Sequence, residues 1–339
     1  MIQRSEAEID GWLEDLDVFR EQLVRIHPNP FWRVPEAEYD QSLDELRANL
    51  PGMSDTEIIV ALARIVAFVD GHSAINLFAD PANFQLYPLR LYLFSDGLFV
   101  IDAQEPYTGA VGARVARIGN LSIEEALEAI TPYIPHDNPS TIQTGIANWL
   151  LRPEVLHTLG VIDAVDRPEI LIEKSDGTRT TLNPAPISWH DCRAWSGGGA
   201  FGLPERPEPL FLSRAFSENH WFTYLEDSGT LFIQYNQVGP GTDLMAQEIR
   251  EFLDGQEVER VILDMRLNFG GDNTTFRSFL ELLSEDPRVN QPGRFFTIIG
   301  RQTFSAAANF ATELENRTHV IFVGEPMGGS PNLYGDTVP

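Results

Sequence analysis

Ser305 heads a small-residue stretch, Ser305-Ala-Ala-Ala-Asn-Phe-Ala311, that follows the apolar run Phe296-Thr-Ile-Ile299. A hydroxyl at such a strand-to-helix turn sits among unpaired backbone N–H groups at the positive end of the helix dipole, where a developing oxyanion is stabilised. Serine is also a preferred N-cap, so a lone serine here reads as a cap. Gly270 ends a comparable run that begins at Val261. Without a side chain it lets backbone approach a substrate carbonyl closely; taken alone it is a turn glycine. A serine nucleophile needs a base. The single lysine, Lys174, lies in Glu173-Lys-Ser-Asp-Gly177, a hairpin-turn sequence that leaves an ammonium in water, whereas a base must be partly buried. Seven histidines remain: His27, His72, His136, His157, His190, His220 and His319. An imidazole titrates near neutrality and is the usual alternative base.

Three motifs occur in order: Arg266-Leu-Asn-Phe-Gly-Gly271, Thr303-Phe-Ser-Ala-Ala-Ala-Asn-Phe-Ala311 and Val323-Gly-Glu-Pro-Met-Gly-Gly329. Together they resemble the tail-specific or C-terminal processing serine peptidases, which have a crotonase-like core and include the tricorn core and the interphotoreceptor retinoid-binding modules among their relatives. The resemblance is closest over about residues 219 to 339. It implies Ser305 as nucleophile and the N–H groups of Gly270 and Ala306 as the oxyanion hole, with Gly271 beside them. Many members place a lysine base after Gly-Glu-Pro, where this chain has Ser330. His72, in Asp70-Gly-His-Ser73, resembles the Asp-Gly-His-Thr motif of members that lack the lysine, with Ser73 as support. Glu325 is a further orienting group to consider, its simpler account being a surface turn residue before Pro326. Gly-His after a helix is also an ordinary helix-end signal. The implied function is serine-type hydrolysis of peptide bonds near protein C-termini through Ser–His in place of Ser–Lys. The alternative is a non-catalytic homologue that binds a ligand or peptide on the same fold.

At 339 residues and 43% apolar content the chain can fill two or three cores. A formal charge of −26 argues against nucleic acid and anionic membranes as partners. Peptide or unfolded protein is the expected substrate, with oligomerisation open. One cysteine, Cys192, excludes an internal disulfide, and no histidine pair has ligand spacing, so neither metal nor cofactor is expected. No apolar run reaches membrane-spanning or signal-peptide length, which predicts a cytoplasmic chain as written, or an exported one if a leader precedes it. Relatives continue beyond Tyr334-Gly-Asp-Thr-Val-Pro339, so a C-terminal truncation is expected, with an acidic partner for the histidine in the missing part.

The expected fold class is α/β: a crotonase/ClpP-like, mainly parallel sheet covered by helices, plus two smaller units. Residues 1–79 read as a helical domain, with capping boxes at Ser5/Glu8 and Ser54/Glu57 and a helix over about 36 to 50. Residues 80–185 read as a small β-rich, PDZ-like domain with a helical insertion near 138 to 159; a spacer without ligand reads as well. Its hairpins turn at Asp96-Gly97 and Asp176-Gly177, and Ser122/Glu125 cap a short helix. Residues 186–218 read as a Gly/Pro linker and 219–339 as the catalytic core, with strands at 230–236 and 319–324 and helices at 243–253 and 274–283.

Overall fold

The computed structural model describes residues 4–79, 82–195 and 218–335. Most of the linker expectation, residues 196–217, lies outside them.

The chain opens with helices α1 (Glu6–Ile26), α2 (Glu36–Asn49) and α3 (Asp55–Val66). Both expected capping boxes form, Ser5 with Glu8 and Ser54 with Glu57, satisfying amide donors that the first turn leaves without partners. The three helices bury Leu16, Tyr39, Leu43, Ile58 and Ile65 against one another. Beyond α3 the chain reaches Asp70-Gly-His-Ser73.

A second layer is a sheet built from β1 (Leu89–Phe94), β2 (Gly97–Ala103), β3 (Arg114–Ile118), β4 (Leu121–Ser122), β5 (Ile170–Glu173) and β6 (Arg179–Leu182). It runs β1-β2-β3-β5-β6, with β4 paired to β3, and every pairing is antiparallel. Helix α4 (Ile123–Ile130) starts at the Ser122/Glu125 capping box, and α5 (Pro139–Trp149) and α6 (Pro153–Thr158) form the insertion. Lys174 lies in the β5–β6 turn, exposed to solvent. Ile187 bridges back to Leu86 and α7 (Trp189–Trp195) follows, so the described start of the 186–218 stretch has structure of its own.

The last layer holds β7 (His220–Leu225), β8 (Thr230–Tyr235), α8 (Thr242–Gly255), β9 (Arg260–Asp264), α9 (Arg277–Glu285), β10 (Phe295–Ile299), α10 (Ala306–Arg317) and β11 (Ile321–Gly324). Sheet order is β11-β10-β9-β8-β7, parallel except for the β7–β8 hairpin. Every residue of β8 is buried, as a strand covered on both faces requires. Helix α9 starts at Arg277 rather than Thr274, because the Asp272 carboxylate takes the Thr274 amide at 2.9 Å in a side-chain turn. The molecule is thus mixed α/β with two sheets and covering helices. Residues Leu231, Ile233, Leu263, Phe279 and Phe310 form the core behind the Ser305 turn.

Candidate active site

The carboxyl ends of β9 and β10 supply two loops that meet. After β9, Asp264 is fully buried, accepts the Arg266 amide at 3.0 Å and pairs with its guanidinium at 2.5 Å. Asn268, also fully buried, joins the parts. Its Nδ2 donates to the Tyr235 carbonyl at 2.9 Å, its Oδ1 accepts the Gly270 amide at 2.9 Å, and its carbonyl accepts the Phe304 amide at 3.1 Å. After β10, the Thr303 hydroxyl donates to the Met265 carbonyl and accepts the Gly300 amide, closing a tight turn into Ser305.

Ser305 has φ 50° and ψ −128°, a conformation that costs a side-chain-bearing residue about 1–3 kcal/mol. Its hydroxyl makes no capping hydrogen bond to α10. The plain N-cap account therefore fails. Ala306, the first residue of α10, is fully buried, and its amide has no acceptor within the helix. Gly270, at φ +108°, packs so closely here that an added Cβ would lie 2.7 Å from Ser305 Cβ and 2.8 Å from the Ala306 nitrogen.

The Gly270 amide was expected in the oxyanion hole, but it donates to Asn268 Oδ1 and is not open to a ligand in this arrangement. The Gly270 carbonyl accepts the Val238 amide at 2.9 Å. Because the peptide is trans, the Gly271 N–H points the opposite way, away from Val238. From the third motif, Gly329 backs onto the same turn; a Cβ there would stand 3.2 Å from the Ser305 nitrogen. Ser330, at the family's lysine position, makes no hydrogen bond among the described residues, and an exposed Lys174 leaves no lysine near the turn.

His72 reaches this turn from the helical layer. Its ring stacks on Phe304, with centroids 4.4 Å apart and planes 20° apart, placing it on the neighbour of Ser305. Both ring nitrogens are shielded from water and without a hydrogen-bond partner. The loop is set by Asp70, 1% exposed, whose Oδ1 accepts the amides of His72 and Ser73 at 2.9 and 2.7 Å. Asp70 Oδ2 pairs with His27 Nε2 at 2.7 Å. Since His27 Nδ1 accepts the Asn29 amide, Nε2 carries the proton in the neutral tautomer. Ser73 thus meets Asp70 through its backbone. A cavity of ≈ 400 Å³ opens beside His72, walled by Phe19, Leu23, Ile26, Val66 and Ile75.

Glu325 does not orient a histidine. It takes Arg301 in a two-point pair at 3.0 and 2.6 Å and accepts the Tyr92 hydroxyl at 3.1 Å. The hydrogen bonds from Arg301 hold its carboxyl below the ordinary range, while burial pushes the Tyr92 phenol up to about 12. Arg301 is 8% exposed, lies 4.4 Å over the Tyr92 ring and donates to the Leu93 carbonyl on β1 at 2.7 Å, so this cluster fastens the two sheets together. Sequence reasoning gave neither Asn268 nor Arg301 a role. Among the described residues no cluster of potential metal ligands forms, and no helix is long and apolar enough to cross a membrane.

No protein-family model and no curated protein matches the sequence. Solved structures do, and the fold they share with this chain is that of CPAF. The particular neighbours are structures of CPAF. Mature CPAF complexed with lactacystin is 12% identical with a TM-score of 0.66, over 94% of this chain and 85% of that one. A second structure of mature CPAF gives 13% and 0.63, and a CPAF mutant 13% and 0.66, each over 94% of this chain and 84% of the other. At such identity the likeness is one of fold.

Proposed function

We propose that this protein is a serine peptidase acting on extended peptide segments, with Ser305 as nucleophile and His72 as base. The observation that carries the reading is the Ser305 turn: a strained serine whose hydroxyl declines the cap, adjoining a phenylalanine on which an unpartnered imidazole is stacked. His72 takes the proton of Ser305 Oγ as it attacks a peptide carbonyl, then returns it to the leaving amine; water releases the acyl-enzyme. The amides of Ala306 and Gly271 hold the oxyanion, Gly271 replacing Gly270 because the Gly270 donor is held by Asn268. Among the described residues no hydrogen bond yet joins His72 to Ser305, in keeping with catalytic contacts that tighten only around substrate. Phe269, 58% exposed on the glycine loop, offers an apolar contact to a bound chain.

In this reading 219–339 is the crotonase-like core and 1–79 the helical unit that delivers His72. The 80–185 unit is PDZ-like, and the ≈ 230 Å³ cavity bordered by β1, Thr144, Ala147 and Arg301 is its peptide groove. The test is hydrolysis of unfolded protein and of peptides with free or amidated C-termini. Activity lost in both Ser305→Ala and His72→Ala, with unfolding profiles retained, supports the assignment. A folded His72→Ala variant with undiminished turnover removes the base, and an intact chain without hydrolysis of any substrate favours a binding protein.

A further inference from the structure

Phe19, Leu23 and Ile26 recur at helical spacing and share one face of α1. Val66, the last residue of α3, and Ile75, just beyond His72, join them. These five wall the ≈ 400 Å³ cavity of which His72 is a further wall. Phe19, Leu23 and Ile75 are only half-buried and Ile26 is 50% exposed, so apolar surface that a ligand could cover remains in contact with water. An apolar cavity of about 150 Å³ already holds benzene, so this space admits an aromatic ring or a branched aliphatic side chain.

The polar groups along the cavity are engaged with one another. Asp70 accepts the amides of His72 and Ser73 and pairs with His27 at 2.7 Å. His27 Nδ1 takes the Asn29 amide, and Gln22 Oε1 accepts from the Arg25 guanidinium. A polar or charged side chain entering here would lose water and find these groups already occupied. His72 is different: its two ring nitrogens are shielded from water and have no partner.

That difference decides which part of a substrate lies here. A base that takes the Ser305 proton returns it to the leaving amine, so the amine nitrogen must come within hydrogen-bond reach of His72. The Cβ of the residue bearing that nitrogen is two bonds away from it, beside the cavity that His72 walls. We propose that this cavity is the specificity pocket for the residue on the C-terminal side of the scissile bond, and that it selects a large apolar side chain over small, polar or charged ones. The proposal rests on the Ser305–His72 reading.

The test uses the product side of the reaction and needs no turnover. Tripeptides with phenylalanine, leucine, alanine or asparagine in the first position, followed by two alanines and an amidated end, are titrated into the native chain, and affinity is read from the ring-proton shifts of His72. Amidation removes any capture of a terminal carboxylate elsewhere. The phenylalanine and leucine peptides should bind at least ~10-fold tighter than the alanine peptide. Asparagine, close to leucine in shape, should gain nothing over alanine. Ile26→Trp at the exposed rim and Leu23→Trp within should fill the space and reduce the phenylalanine advantage to less than about twofold. Cleavage sites mapped in an unfolded protein should carry a large apolar residue directly after the cut. Equal affinities for the phenylalanine and alanine peptides, or a preference that both folded tryptophan variants leave untouched, overturn the proposal. Ser305 that takes a fluorophosphonate in a chain without the preference removes the pocket and keeps the peptidase reading. The preference in a chain that takes no label removes that reading and supports the pocket's selectivity alone.

Discussion

Replacing Gly270 with alanine should disturb the Ser305 turn through two separable costs. At φ +108° a side-chain-bearing residue loses about 1–3 kcal/mol. The new Cβ would also meet Ser305 Cβ at 2.7 Å, Ala306 N at 2.8 Å and Phe304 O at 2.8 Å, against 3.4 Å for ordinary contact. Two of the three atoms are backbone, so relief requires the 304–306 turn to retreat by about 0.6 Å, an overpacking of about 1–3 kcal/mol. The sum is about 4 kcal/mol, with acylation slowed by about 10- to 100-fold because the nucleophile moves with the turn. Gly293→Ala is the control: its φ is +77°, but no atom lies within 4 Å of the added Cβ, so only about 1 kcal/mol should be lost, without effect on the serine. Urea unfolding reads the stability and the rate of fluorophosphonate acylation reads the site. A Gly270→Ala protein as stable as Gly293→Ala and acylated at the native rate would refute the reasoning.

Two further outcomes follow from the same geometry. Because the Ser305 hydroxyl does not cap α10, Ser305→Ala should cost less than about 0.5 kcal/mol, against ~1 kcal/mol for a working cap, and Ser305→Gly should raise stability by about 1 kcal/mol through relief of strain; denaturation midpoints check both. Arg301 depresses the Glu325 carboxyl below its ordinary 4.5, so the stability Glu325 contributes is present above that pH and is lost as pH falls through its lower folded-state value. Glu325→Gln should therefore melt below the native protein near pH 7, with the gap closing as pH falls below 4.5 and through the lowered folded-state value, by calorimetry; a gap that ignores pH would count against the pairing.

What the sequence disclosed and what it hid divide by the range of the interactions. The capping boxes at Ser5, Ser54 and Ser122 and the turns at Asp96-Gly97 and Asp176-Gly177 act over three or four residues, and all were legible. So was the strand–helix alternation around Ser305, because buried parallel strands read as continuous apolar runs. The ties that assemble the site span far more chain. Asp137 with Gly71, Asn138 with Gly328 and Arg301 with Leu93 lie 66, 190 and 208 positions apart and leave no periodic trace. That the Gly270 amide is taken up depended on which way one buried side chain, Asn268, turns its oxygen. Glu325 read as an orienting group or a surface turn residue because its partner Arg301, 24 positions earlier, is an ordinary turn arginine until the sheets are packed.

The central claim is that Ser305 is an activated nucleophile served by His72, and covalent labelling with a fluorophosphonate, located by mass spectrometry, tests it most directly. The account predicts a single adduct on Ser305 of the native chain, absent in Ser305→Ala and strongly slowed in His72→Ala. A well-folded chain that takes no label, or one labelled equally fast without His72, would contradict it.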